Sequence, residues 1–182
     1  NSVGVVNLAN GVVPTISQYF DRTQISWGPL ALVSQSGAFG TALLAQAEIE
    51  GLSFGYFVSS GNEADVEFSD FGRALLDQDN VRVLCGYIES IRNGQSFVDL
   101  ARKAAEKGKP VLVLKVGSTE AGAAAARSHT GAMVGSDAVA QAFFDAFSIL
   151  RATDGENLLD LLRTLERTPE SRGKRLAILS HS

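Results

Sequence analysis

A single cysteine stands among 182 residues. No disulfide can form within the chain, and the composition suits a reducing cytoplasm. Cys85 lies inside an apolar, strand-like run with no histidine near it in sequence, so it reads as buried filler. Basic residues are also in deficit: 16 Lys and Arg face 20 Asp and Glu, a formal charge of −4. No Lys/Arg cluster interleaves with aromatics, which argues against a nucleic-acid surface. Long apolar runs are missing too, and none approaches the roughly 18 residues of a membrane span. The opening Asn1-Ser2-Val3-Gly4 is neither a signal peptide nor an initiating methionine. Histidine is scarce, with two in the chain, and no metal-ligand set is expected.

What is present is a core-forming majority. Hydrophobic residues make up 45% of the chain and charged ones 20%, a balance that supports one compact domain of this length. From about residue 29 onward strand-like and helix-like runs alternate. Leu30 to Val33, Phe54 to Val58, Val81 to Ile88 and Val111 to Val116 are apolar without alternation. That pattern belongs to strands buried on both faces, hence parallel and covered by helices. Helices are expected over Ala38–Glu50, Val66–Gln78, Phe97–Lys107 and from Asp137, where Val139, Phe143 and Phe147 stand four apart. A short strand over Ser148–Arg151 and a helix over Asp154–Glu166 complete the set. The expected fold is a flavodoxin-like, doubly wound α/β domain over residues 29–173. Residues 1–28 read as an entry strand and linker punctuated by Pro14 and Trp27-Gly28-Pro29. Residues 174–182 begin with a new strand, Lys174 to Leu179, as if a further subdomain started there.

The polar and ionisable oddities fall at one place in this scheme, the carboxyl ends of the strands, where open α/β sheets bind ligands. Ser34-Gln35-Ser36-Gly37 turns a strand directly into a helix. Its glycine lets a ligand approach the backbone, and the free amides of the helix start favour an anion; the alternative is a tight turn whose serine only caps the helix. Asn62, Glu63 and Asp65 share that edge, as substrate-side contacts or as loop caps. His129 sits in Ser128-His129-Thr130-Gly131-Ala132, among small neighbours suited to a loop that swings a side chain between sites. A surface histidine is the plainer reading. Glu89, at the end of a neighbouring strand, could hold one imidazole nitrogen and leave the other nucleophilic, or be a solvated strand end.

Taken together, Ser34-Gln35-Ser36-Gly37-Ala38, Gly61-Asn62-Glu63-Ala64-Asp65-Val66, Tyr87-Ile88-Glu89 and Ser128-His129-Thr130-Gly131-Ala132 resemble, in order and spacing, the NDP-forming acyl-CoA synthetase superfamily. That superfamily comprises ADP-forming acetyl-CoA synthetases and relatives of the succinyl-CoA synthetase α subunit. The resemblance covers nearly the whole chain and points to the flavodoxin-like domain that follows a CoA-binding Rossmann domain. It implies His129 as the phosphorylated histidine and Glu89 as its orienting carboxylate. The amides of Ser36, Gly37 and Ala38 become one of two helix N-termini that hold the phosphate, the other lying in the following subdomain. The implied reaction is acyl-CoA, phosphate and NDP giving acid, CoA and NTP, reversibly, through acyl phosphate and phosphohistidine. No cofactor is implied for this domain, while the full enzyme would use CoA, ATP or ADP, and Mg²⁺. CoA-binding and ATP-grasp domains or subunits are the implied partners, in an oligomer; this domain alone would be inactive. Two rivals remain: a ligand-sensing regulatory domain fused to a protein acetyltransferase, and a plain flavodoxin-like binding module. A flavin site is not expected, because the loop after the first strand lacks a run of Ser/Thr hydroxyls.

Overall fold

The computed structural model describes residues 2–21, 25–117, 137–168, 173 and 177–180. Six strands form one sheet: β1 (Val5–Asn7), β2 (Leu30–Ser34), β3 (Phe54–Ser59), β4 (Val83–Ile88), β5 (Val111–Lys115) and β6 (Leu150–Ala152). Among the described residues the α-helices are α1 (Gly37–Ile49), α2 (Phe68–Leu76), α3 (Gly94–Glu106), α4 (Asp137–Ala146) and α5 (Gly155–Arg167). In space the strands run β1-β3-β2-β4-β5-β6. From β3 to β6 every pairing is parallel, which is the flavodoxin-like order 2-1-3-4-5 for the five strands that helices connect. One feature departs from an all-parallel expectation: the entry strand β1 joins β3 antiparallel at the edge. An edge can accept a strand of either direction, because β1 needs no crossover helix.

The two faces follow from the side-chain period of a strand. Ala31, Val33, Leu84, Ile88, Val111 and Val113 point into one core, shared with Phe68, Leu76, Phe97, Leu100 and Phe144 of α2, α3 and α4. Leu30, Leu32, Val83, Cys85, Leu112 and Leu114 point into the other, shared with Leu43, Leu44, Ala47, Leu158 and Leu162 of α1 and α5. Cys85 is fully buried there, and burial pushes its thiol up to about 12.

Local chemistry moves some boundaries. Helix α3 starts three residues before the expected Phe97, because the Asn93 side chain accepts from Ser96 N at 3.0 Å and caps it. Helix α2 begins at Phe68, where the Asp70 carboxylate accepts from Glu67 N at 2.9 Å. Of the stripe expected on α4, Phe143 and Phe147 are half-buried against the core, whereas Val139 is 69% exposed and the fully buried residue is Phe144. Phe144 lies within aromatic contact of Phe97 and under the Arg151 guanidinium. The strand expected over Lys174–Leu179 falls partly outside the described residues. Its described part, residues 177–179, pairs with no strand of this sheet among the described residues.

Candidate functional site

Strands β2 and β4 are neighbours in the sheet although β3 and α2 lie between them in sequence. After β2 the chain crosses to β3 on one side, and after β4 to β5 on the other. The order therefore reverses between β2 and β4, which makes a crevice at their carboxyl ends. Ser34 is paired with Tyr87 at the end of that ladder. Two of the motifs picked out from the sequence, Ser34–Ala38 and Tyr87–Glu89, thus flank the crevice.

The β2–α1 turn is tight and internally bonded. Ser34 Oγ donates to Ser36 O at 2.6 Å and accepts from Ser36 N at 3.2 Å. Ser36 is the N-cap of α1, its Oγ accepting from Phe39 N at 3.3 Å. The Ser36 amide is therefore already engaged. The next two amides, Gly37 and Ala38, belong to the first turn of a helix and have no intrahelical acceptor. Ala38 is exposed at the mouth. The helix sits close to the sheet because Gly40 has no side chain: a Cβ there would meet the Phe57 ring at 2.6 Å and Ser34 Cβ at 3.1 Å.

Glu89 is 7% exposed just past the end of β4. Tyr87, two residues earlier, stacks on Phe39 of α1 with ring centroids 4.1 Å apart, so this side of β4 faces α1. Burial pushes the Tyr87 phenol above its usual value and the nearby Glu89 carboxylate adds to the rise. A negative charge near the start of α1 is electrostatically favourable.

Gln35, between the two serines, received no role from the sequence, yet it is the residue that joins the halves of the crevice. It is 5% exposed. Its Oε1 accepts from Glu89 N at 2.7 Å and Ser90 N at 2.9 Å, and its Nε2 donates to Ser90 O at 2.8 Å. Its own N–H donates to Tyr87 O at 3.1 Å, extending the ladder. The sequence signal that could have found it is an amide side chain at the end of a buried strand, where it must find partners.

The three residues of the third motif separate. Glu63 is buried, with Oε1 accepting from Ser60 Oγ at 2.7 Å and from Phe68 N, the first amide of α2, at 3.1 Å. Its backbone is left-handed at φ 53. Burial, ahead of the lowering from these bonds, pushes its carboxyl above the ordinary value. Glu63 thus caps a loop and a helix. Asn62 and Asp65 are exposed on the same turn. At the end of β5, Lys115 is 6% exposed and donates through Nζ to Val116 O at 2.6 Å. His129 lies outside the described residues. Among the described residues no group of three or more His, Cys, Asp or Glu gathers as a metal cage, and no helix is long and apolar enough to cross a membrane.

One sheet covered by helices on both faces, with a helix start and a buried carboxylate at its switch point, defines the flavodoxin-like class. The succinyl-CoA ligase like flavodoxin domain family matches residues 27–165, and the chain belongs to that family. It is 38% identical over 174 residues to the ADP-forming acetate–CoA ligase I α subunit of Pyrococcus furiosus, covering 94% of this chain and 37% of that protein. It is 34% identical over its full length to the ADP-forming 4-hydroxybutyrate–CoA ligase of Nitrosopumilus maritimus, covering 26% of that protein. Among solved structures, acetyl-coenzyme A synthetase 1 of Ca. Korarchaeum cryptofilum, in complex with phosphate and ADP, superimposes with a TM-score of 0.85 at 32% identity. That match covers 94% of this chain and 36% of the other. The chain thus spans between a quarter and two fifths of the length of these relatives.

Proposed function

We propose that this chain is the phosphohistidine-carrying domain of an ADP-forming acyl-CoA synthetase. The observation that carries the reading is the meeting of the α1 start and Glu89 across the β2–β4 crevice, in a chain similar to ADP-forming CoA ligases over most of its length. A helix start suits an anion, and a buried carboxylate suits an imidazole that must present one nitrogen as nucleophile. In the scheme, inorganic phosphate displaces CoA from the acyl thioester and gives an acyl phosphate. His129 Nε2 or Nδ1 attacks that phosphorus; the P–O bond to the acyl group breaks and the carboxylic acid leaves. ADP then takes the phosphoryl group from the imidazole, giving ATP and restoring His129.

Each residue has a role in that sequence. Glu89 accepts the ring N–H opposite the reacting nitrogen and steadies the cationic phosphoimidazole. The Gly37 and Ala38 amides, with Ser36 as their cap, hold phosphate oxygens at the start of α1. Asn62 and Asp65 stand on the substrate side, with Glu63 shaping their turn. Mg²⁺ enters with the nucleotide, bound to its phosphates, and asks nothing of these residues. The CoA and nucleotide steps belong to CoA-binding and ATP-grasp parts that would flank residues 29–173, in a cytoplasmic oligomer; residues 1–28 and 174–182 would be the connections, and this domain alone would not turn over. The relatives named above act on acetate and 4-hydroxybutyrate, so we leave the acyl group open.

The test is chemical. The full-length protein containing this chain, incubated with radiolabelled ATP and Mg²⁺, should take up acid-labile, base-stable phosphate on His129. His129→Asn should lose both the label and acyl-CoA synthesis. Label that persists in His129→Asn would move the carrier elsewhere. An unlabelled wild type whose acyl-CoA ligands control an attached acyltransferase would establish the regulatory reading instead.

A further inference from the structure

We infer that Gln35 is a positioning residue for phosphoryl transfer, acting through Glu89; the inference rests on the phosphohistidine reading above. Three hydrogen bonds carry it. Glu89 N and Ser90 N both donate to Gln35 Oε1, at 2.7 and 2.9 Å, and Gln35 Nε2 donates to Ser90 O at 2.8 Å. The two partners are 54 and 55 residues away in sequence.

The geometry does more than fill a hole. Strand β4 ends at Ile88 and α3 starts only at Gly94, so Glu89 and Ser90 leave the sheet with no strand on which to bond both their amides. One side-chain amide takes two donors and answers one acceptor, as a neighbouring strand would. It therefore fixes the backbone from which the Glu89 carboxylate projects. The other end of the same side chain is rooted between Ser34 and Ser36, the residues that build the cap of α1. A displacement of the α1 start is transmitted to Glu89 through one rigid amide, and the reverse. The carboxylate and the phosphate-holding amides are thereby held as one unit, and the imidazole that must touch both meets a fixed distance between them. The isosteric acid would not replace it. A carboxylate in place of the amide can accept from Glu89 N and Ser90 N, but it turns an acceptor toward Ser90 O. It also adds a negative charge beside the site meant for phosphate.

The experiment is a double-mutant cycle in the full-length protein. The rate of phosphohistidine formation from radiolabelled ATP is measured for wild type, Gln35→Met, Glu89→Gln and the double variant, each normalised to the folded fraction from a thermal melt. Gln35→Met should slow labelling by about 10- to 100-fold, the scale of a misplaced catalytic group. Added to Glu89→Gln, it should slow labelling by no more than about twofold further. Where Gln35→Met does not fold, Gln35→Asn, which stays neutral but is too short to reach Glu89 N and Ser90 N, replaces it in the cycle with the same expected non-additivity. Unchanged labelling in the Gln35 variant, or effects that multiply in the double variant, would overturn the inference and leave the phosphohistidine reading intact. A wild type that takes no label would remove that reading and the inference together.

Discussion

At the scale of single residues, the buried polar groups divide by what they bond. Glu63 shows how a motif acidic residue can be structural in its own contacts. The bonds from Ser60 and Phe68 both go to Oε1, and an amide oxygen can accept both equally well; the Gln35 side chain also bonds the carboxylate. Burial raises the carboxyl's value in the folded protein above that in the unfolded chain. The stabilising contribution of the protonated form is complete below the unfolded value of about 4.5 and is lost as pH rises through the higher folded value. Glu63→Gln keeps the Ser60 and Phe68 bonds and removes the titration. Its stability relative to wild type should therefore climb as pH is raised from about 4.5 toward neutrality. Thermal melts of the two proteins across that range check it; a difference independent of pH would show that the carboxyl is not held in a low-polarity setting. Gln35 belongs to the other kind. Nothing in its local sequence names its partners, because they lie a whole β-α-β unit away.

At the scale of elements, the sequence was legible wherever a strand is buried on both sides and a helix is ended by a glycine or begun by a cap. The four unalternating apolar runs became β2, β3, β4 and β5. The cores on their two faces explain their apolar filling, with the charged residues Arg82 and Lys115 standing before β4 and at the end of β5. Legibility failed where tertiary packing chose among equivalent residues. Phe143 and Phe144 lie on one short helix with Phe147 just past its end, and a spacing of four selects Val139, Phe143 and Phe147. The structure half-buries Phe143 and Phe147 and exposes Val139, and the fully buried residue is Phe144, which meets Phe97 while Arg151 covers its ring. It was equally silent on the direction of β1, three residues long at an edge. Helix α1 supplies a sharper test. Gly40 is the contact that lets it lie against Phe57 and Ser34, and a methyl group there must push helix and sheet apart. Gly40→Ala should cost about 1–3 kcal/mol, the usual penalty for overpacking, read as a lowered denaturation midpoint. Because Ser36 and Gly37 ride on the same helix, amide chemical shifts at Gly37 should move as well. A variant with unchanged midpoint and unchanged Gly37 shift would mean the helix does not rest on that contact.

At the scale of the whole molecule, the edge on which function would fall was readable before the geometry. Its motifs follow strands, and parallel strands put all their carboxyl ends on one side. Which two strands meet was not readable, since topology is a long-range property that local periodicity does not encode. The pairing of β2 with β4 joins residues about 53 apart, Leu32 with Cys85 among them, and this has a kinetic consequence. A ladder closed over such a separation forms late, after the intervening β3 and α2 have been placed. The crevice cannot exist in a half-folded chain. A ligand of that crevice binds only the finished protein, so it stabilises by mass action without lowering the barrier to folding. Inorganic phosphate in excess should thus slow unfolding in stopped-flow denaturant jumps while leaving the refolding limb unmoved. A refolding rate that rises with phosphate would mean that the crevice is assembled early. Were phosphate to occupy the crevice as proposed, its supply would set how long each folded copy lasts.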